Sequence, residues 1–121
     1  MNFSLSQPSE SLSRKILRPV PFKERFPAGR LKPPVGILPG DVRSLPELHL
    51  FLEPDVASLP GINLKTLAEW IEGSIGDKEL AETIRAIVDT TVNYVEDCLR
   101  VYEAVGVRLD QARKTIKETQ V

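Results

Sequence analysis

Cysteine and histidine are almost absent from this chain of 121 residues, which contains only Cys98 and His49 of these two types. A single cysteine excludes a disulfide framework within the chain and a thiol-based metal site. No serine or cysteine stands beside His49 in a local signature of nucleophilic catalysis. The glycine motifs that cradle phosphates, G-x-G-x-x-G and G-x-x-x-x-G-K-[ST], are also missing. The sequence therefore predicts a protein that is not an enzyme, with no catalytic, cofactor-binding or metal-binding residues.

Long apolar runs are lacking too. No stretch approaches the roughly 18 consecutive apolar residues that a membrane span requires. The first residues lack the charged segment and continuous apolar run of a secretory signal. These features predict a cytoplasmic protein without a membrane partner.

Proline is absent after Pro60, and all ten prolines lie between Pro8 and that position. Proline fixes its own φ angle and moves the preceding residue out of the helical region. Residues 1–43 are therefore expected to form an extended arm. The arm keeps regularly spaced apolar residues, unlike most disordered segments, so we expect it to lie on a surface. Phe22 and Phe26, bracketed by Pro21 and Pro27, are its predicted anchors.

Charge divides the chain into two unlike parts. Residues 1–43 carry eight basic and three acidic groups, whereas residues 44–121 carry eight basic and fourteen acidic groups. Such an asymmetry is typical of an arm that meets an acidic surface or nucleic acid. The acidic surface could belong to the same chain or to a neighbouring copy. We therefore divide the chain into a basic arm (1–43) and a helical association domain (44–121).

Two short helices are predicted after the arm. Ser44 and Glu47 have the spacing of a capping box, and Pro54 follows the apolar run, which predicts a helix over residues 45–52. Alternation of Leu48, Leu50 and Leu52 with polar or aromatic residues leaves a strand as the alternative. Asn63 is the expected cap of a second helix over 64–72, with Gly73 as its stop.

A much longer helix is expected from about residue 78, with Asp77 as its cap, either continuous or broken near Gly106. The apolar residues follow a heptad pattern, and many of the flanking positions are apolar as well, so the face is wider than that of a two-stranded coiled coil. The core positions are Ala81, Ile84, Val88, Thr91, Val95, Cys98, Tyr102, Val105, Leu109, Ala112, Ile116 and Thr119.

These patterns predict an all-α fold: an extended proline-rich arm, two short helices and one long C-terminal helix in an oligomeric helical bundle. Burial of an amphipathic face supplies most of the stability of a helix in a protein. Two short helices are too small to cover so wide a face, so association is expected. The predicted partner-binding residues are Phe22, Phe26, Ile84, Val88, Val95, Tyr102 and Val105.

The function expected from these features is non-catalytic protein interaction or assembly. The chain would form a homo-oligomeric bundle, or serve as a small accessory subunit that wraps a larger complex with its arm. The alternative is a nucleic-acid-associated assembly factor. In that case Lys23, Arg25, Arg30 and Lys32 would neutralise phosphates, and the interleaved Phe22 and Phe26 would stack on bases.

Overall fold

The computed structural model describes residues 5–90 and 93–119 and shows a mixed α/β fold. The helices are α1 (Glu10–Leu17), α2 (Leu45–Leu52), α3 (Leu64–Trp70), α4 (Lys78–Thr90) and α5 (Tyr94–Thr119). The strands are β1 (Phe26–Pro27), β2 (Gly29–Lys32), β3 (Gly36–Leu38), β4 (Asp41–Val42) and β5 (Leu59–Gly61). The all-α prediction is wrong, because two small antiparallel sheets form, and four of their five strands lie in the region that the prolines were expected to keep extended.

The strands are short because proline and glycine interrupt them. One sheet pairs β1 with β4, and the other has the order β3-β2-β5. In the second sheet Leu31 lies opposite Ile37 on one side and opposite Leu59 on the other. Proline cannot donate a ladder hydrogen bond, which confines it to strand ends and edges. Pro60 accordingly lies in β5, at an edge of this sheet.

The predicted proline-rich arm is not an arm but part of the fold. Within residues 5–43 the structure has α1 and four strands, and Ile16, Val20 and Phe26 are buried in the same core as the helices. Phe26 packs against Trp70, with ring centroids 5.6 Å apart. Some of the apolar side chains of this segment thus pack against the rest of the same chain, whereas others, such as Val35 and Ile37, are exposed. Residues on both sides of position 43 therefore contribute to one core, although the two parts differ in charge and composition.

The first short helix begins and ends where its signals predicted. The Ser44 hydroxyl accepts from the backbone N–H of Glu47 (3.2 Å), and α2 runs over Leu45–Leu52, so the strand alternative is wrong. Asn63 caps α3 by accepting from Lys65 and Thr66.

The end of α3 was predicted less well than its start. A π-helical turn, Ile71–Ile75, follows it, and Gly73 lies inside that turn. The chain turns instead at Gly76, whose φ of 89° lies in the left-handed region that favours glycine. Gly76 therefore provides the stop that Gly73 was expected to provide.

The prediction of a single long helix is also wrong. The structure has two helices in its place: α4 ends at Thr90, and α5 begins at Tyr94 with Asn93 as its cap. The predicted core position Thr91 lies outside the described residues. Helix α5 continues through Gly106, where the absence of a side chain makes room for His49: a Cβ atom there would lie 3.0 Å from its Nε2.

The break between α4 and α5 lets the two helices cover each other. Helix α5 packs against α1, α2 and α4, and α3 packs against α4. Ile84 and Val105, two of the predicted partner-binding residues, are completely buried in this core. The reason for expecting association, an apolar helix face that one chain could not cover, therefore no longer applies to these positions.

A buried arginine joins three distant parts of the chain. The Arg108 side chain in α5 donates to both oxygens of Asp77, at 2.7 and 3.0 Å, and to Glu79 Oε1 at 2.9 Å. It also donates to the carbonyl of Ser6 at 2.6 Å and to Gln111 Oε1 at 3.0 Å. Together these contacts occupy all five N–H donors of a guanidinium. A buried charge is tolerated when it is paired and fully hydrogen-bonded, and Arg108 meets this condition.

The same cluster holds the N-terminal segment against the helices. Ser6 donates through its backbone N–H and its hydroxyl to the carboxylate of Glu79, at 2.7 and 2.9 Å. The side-chain amide of Gln111 donates to the backbone carbonyl of Leu5 at 2.7 Å, and the backbone carbonyl of Gln111 accepts from the side-chain amide of Gln7 at 2.8 Å. Burial opposes ionisation of Glu79, but the donors of Ser6 and Arg108 hold the pKa of this carboxyl below its ordinary value. The segment is thus fixed by charge-assisted hydrogen bonds.

We expect Arg108→Met to lower the free energy of unfolding by about 3–5 kcal/mol, because Asp77 would be left as a buried, unpaired charge. The matched control is Arg113→Met in the same helix. Arg113 is exposed and lies 4.0 Å from Asp110, so its loss should change stability by at most about 0.5 kcal/mol. Urea unfolding at pH 7 measures both. Equal stabilities of the two variants would contradict the structural importance of Arg108.

Candidate functional site

Two adjoining apolar grooves lie where β5 meets the first turns of α5. The larger, here called the β5–α5 groove, encloses about 740 Å³ and is lined by the three groups that follow. They are Leu31 and Ile37 of the sheet, residues 59–65, and Val88, Tyr94 and Asp97 of the helices. The smaller, the α2–α5 groove, encloses about 230 Å³ and includes Val56, Val95, Cys98 and Leu99. Leu59 and Pro60 line both grooves, so the two form one continuous surface.

Tyr94 fixes the position of β5 against α5. Its hydroxyl accepts from the N–H of Ile62 at 3.1 Å and lies within hydrogen-bonding distance of the carbonyls of Pro60 and Ile62. Burial raises the pKa of Tyr94 to about 12, so the hydroxyl stays protonated at neutral pH. Backbone groups at the end of β5 are thus bonded to a side chain instead of being open to another strand.

Asp97 places a buried carboxylate in the wall of the β5–α5 groove. Its side chain belongs to the first turn of α5, where its backbone N–H donates to the carbonyl of Asn93 at 2.9 Å. The residue is only 6% exposed, and Oδ1 has no hydrogen-bond donor among the residues that the structure describes. Buried polar atoms are almost always bonded, so an unpaired carboxylate oxygen is an exception that requires a reason.

The surroundings of Asp97 favour its neutral form. Burial raises the pKa of its carboxyl above the ordinary value, and the negative charge of Glu96 adds to this effect. The positive charge of Arg100 opposes it, but the Arg100 guanidinium donates to Glu96 Oε1 at 2.7 Å. The nearest cation in α5 is therefore already paired with the neighbouring carboxylate.

The structure separates the seven predicted partner-binding residues into three groups. Phe26, Ile84 and Val105 are buried in the core and offer no side-chain surface to a partner. Val88 and Tyr102 are half-buried, and Val88 lines the β5–α5 groove. Phe22 and Val95 are exposed. Only Val95 of these two lines a groove, whereas Phe22 lies beneath the guanidinium of Arg25, 4.0 Å from its ring centre.

Sequence reasoning missed Asp97 as a site residue. The heptad pattern predicts that the acidic residues of this helix face outward. Glu96 is exposed as this pattern requires, but Asp97, the next residue in the sequence, is buried. A signal for the groove itself was present, since Tyr94 and Leu99 widen the apolar face beyond what a helix core needs. No sequence pattern showed that β5 would lie beside them.

Among residues 5–90 and 93–119, no three potential metal ligands lie together. None of the helices in these ranges is long and apolar enough to cross a membrane. Cys98 is buried, as its predicted packing role requires, and burial raises the pKa of its thiol.

We expect Asp97→Asn to raise the free energy of unfolding at pH 7 by about 1 kcal/mol, because it removes a buried charge that lacks a donor. The folded-state pKa of Asp97 is raised, so the penalty is present above that pKa. It disappears as the pH falls towards the unfolded-state pKa of about 3.9. The stability difference between variant and wild type should therefore be large at pH 7 and small near pH 4. Urea unfolding at both pH values measures this difference.

Glu96→Gln is the matched control for this experiment, one residue away in the same turn. Glu96 is exposed and paired with Arg100, so its replacement should change stability by no more than about 0.5 kcal/mol. A variant Asp97→Asn that is less stable than wild type at pH 7 would show that the carboxylate has a stabilising partner.

Comparisons with protein-family models, with curated proteins and with solved structures found no match for this chain. The chemistry of its own surface is therefore the basis for inferring its function.

Proposed function

We propose that this protein is a non-catalytic interaction module that binds another protein through the β5–α5 and α2–α5 grooves. The observation that carries the proposal is the exposure of large apolar side chains around these grooves. Ile37 is 68% exposed, Val95 45% and Leu99 41%, and Leu31 and Leu59 are exposed beside them. Exposed apolar residues scattered singly are ordinary, but a continuous apolar surface marks an interaction site.

The shape of the surface supports docking of a partner protein. An open groove with mainly apolar walls can take the apolar side chains of a partner segment. Tyr94 provides an aromatic residue in its lining, and aromatic residues are enriched among those that dominate binding energy. The docking surface proposed here lies mainly on β5 and α5, and of the first 43 residues it includes Leu31 and Ile37.

The settings of His49 and Cys98 support a non-catalytic role. His49 stacks on Tyr102, with ring centroids 4.5 Å apart, and its pKa is lowered mainly by burial. Cys98 is buried beneath the α2–α5 groove. Neither residue has the exposed, activated setting that a nucleophile or general base requires.

The alternative of nucleic-acid binding receives less support from the basic residues. Arg25 pairs with Asp41 at 3.2 Å. Arg30 donates to Ser58 at 2.8 Å and to the carbonyl of Phe51. Two of the four basic side chains that would neutralise phosphates are thus engaged within the chain, which weakens the electrostatic term on which such binding depends.

Site-specific photo-crosslinking in the host cell tests the proposed function. The photoreactive residue p-benzoylphenylalanine in place of Val95 should yield a discrete adduct of higher mass, because the side chain would lie against the partner. The same residue in place of the exposed Lys114, near the other end of α5, should yield none. Denaturing electrophoresis and mass spectrometry of the adduct identify the contact.

A third position distinguishes the grooves from the earlier candidate at Phe22. An adduct formed only through position 22 would place the partner outside the grooves and overturn the proposal. Absence of an adduct at position 95, in a protein that is folded by circular dichroism, would do the same.

A further inference from the structure

We propose that the β5–α5 groove binds a lysine or arginine side chain of the partner protein, with Asp97 as acceptor and the apolar walls holding its flanking apolar residues. This inference rests on the proposed function and names the chemistry that the docking surface recognises. The unpartnered oxygen of Asp97 is the observation from which it starts.

The state of Asp97 is costly to the free protein. Its Oδ1 is buried in the groove wall and receives no hydrogen bond from any described residue. Stability would improve if the position held a neutral residue, so the carboxylate is not explained by the folding of this chain. Groups that are unfavourable in the free protein are characteristic of functional sites. A cationic donor from outside would satisfy the oxygen and its charge together.

The cations of the chain itself are placed elsewhere. Arg100 is paired with Glu96, and Arg85 is paired with Glu72 at 2.6 Å. Lys65 is exposed at the rim of the groove, and no ion pair joins it to Asp97 among the described residues. The groove therefore has an unneutralised acceptor within an apolar lining, which is complementary to an amine or guanidinium on an apolar stem.

The lining favours an organic cation over a metal ion. Divalent cations such as Ca²⁺ and Mg²⁺ take about six to eight oxygen ligands, whereas the walls here are built mainly from leucine, isoleucine, valine and proline side chains. One carboxylate in such a setting suits a single charge-assisted hydrogen-bonded pair.

The groove has room for more than one side chain of a partner segment. The volume of about 740 Å³ exceeds what one basic side chain fills, and the exposed Leu31, Ile37 and Leu59 remain available to flanking residues. Tyr94 already bonds the backbone at the end of β5, so recognition would depend on side chains and not on addition of a strand at that edge.

Selection from a displayed library of random dodecapeptides tests the proposal on the full chain. Wild type and Glu96→Gln should enrich peptides with a lysine or arginine flanked by apolar residues. Asp97→Asn should lose this enrichment although the variant is folded and, by the argument above, more stable. Enrichment of the same basic peptides by Asp97→Asn would overturn the proposal, as would enrichment of peptides without a basic residue or of none.

Affinities of one synthetic enriched peptide then measure the pair directly. Replacement of its basic residue by norleucine should weaken binding to wild type by about tenfold to a hundredfold, as expected for a hydrogen bond to a charged group. On Asp97→Asn the same replacement should have almost no effect, because the partner of the charge is already gone. An equal loss on both proteins would show that the cation contacts another group.

Two other occupants are outcomes of the same set of measurements. Binding of n-hexylamine with the affinity of the peptide would assign the groove to small amines and overturn the protein partner. A wild-type dimer in sedimentation equilibrium that Asp97→Asn dissociates would assign it to a second copy of the chain, also overturning the proposal.

Failure of this inference is distinguishable from failure of the proposed function. Apolar peptides bound equally by wild type and Asp97→Asn, together with an adduct at position 95, would leave the docking surface intact and remove only the role of Asp97. Absence of both peptide binding and the adduct would remove both.

Discussion

The paired charges of Arg108 and Asp77 hold together parts of this chain that are far apart in sequence. Asp77 caps α4 through the N–H of Leu80 (3.0 Å), while Arg108 lies in the middle of α5. The guanidinium that joins these helices also donates to the carbonyl of Ser6 and so binds the N-terminal segment. Since a guanidinium has five donors in a fixed plane, the approach of all three segments is constrained at once. The grooves lie elsewhere along α4 and α5, and their shape depends on the relative positions of the two helices, which this cluster helps to fix.

Asp77 and Asp97 are both buried carboxylates, and their opposite hydrogen-bonding states point to different roles. Asp77 accepts two donors from Arg108 and one from Leu80, so its charge is balanced within the fold. Asp97 Oδ1 has no donor among the described residues, although a cation lies three residues away. A folded protein rarely leaves such an atom unbonded. A ligand that supplies the missing donor accounts for it, which is why Asp97 and not the larger ionic cluster forms the basis of the inference about recognition.

Local signals in the sequence predicted the parts of the fold that depend on a few neighbouring residues. The caps at Ser44 and Asn63 gave the starts of α2 and α3, because capping is a hydrogen bond between residues two or three apart. The break before α5 was missed, since the apolar spacing continues across it and periodicity alone does not reveal an interruption. The place of β5 in its sheet was missed because its pairing with β2 joins segments almost thirty residues apart, as shown by Leu31 opposite Leu59.

Composition and spacing by themselves determined that the residues of α4 and α5 would be amphipathic and that the first 43 residues would carry apolar side chains among their prolines. They also limited the chain to one cysteine and one histidine. Only the tertiary structure decided where those apolar side chains would lie. Residues 5–43 cover the helices of their own chain, so Phe26, Ile84 and Val105 became core, while Val95 stayed exposed. The candidate site follows the same rule. Asp97 resembles any solvent-facing acid in sequence, and only the tertiary structure shows that it is buried and shares a groove with residues 59–65.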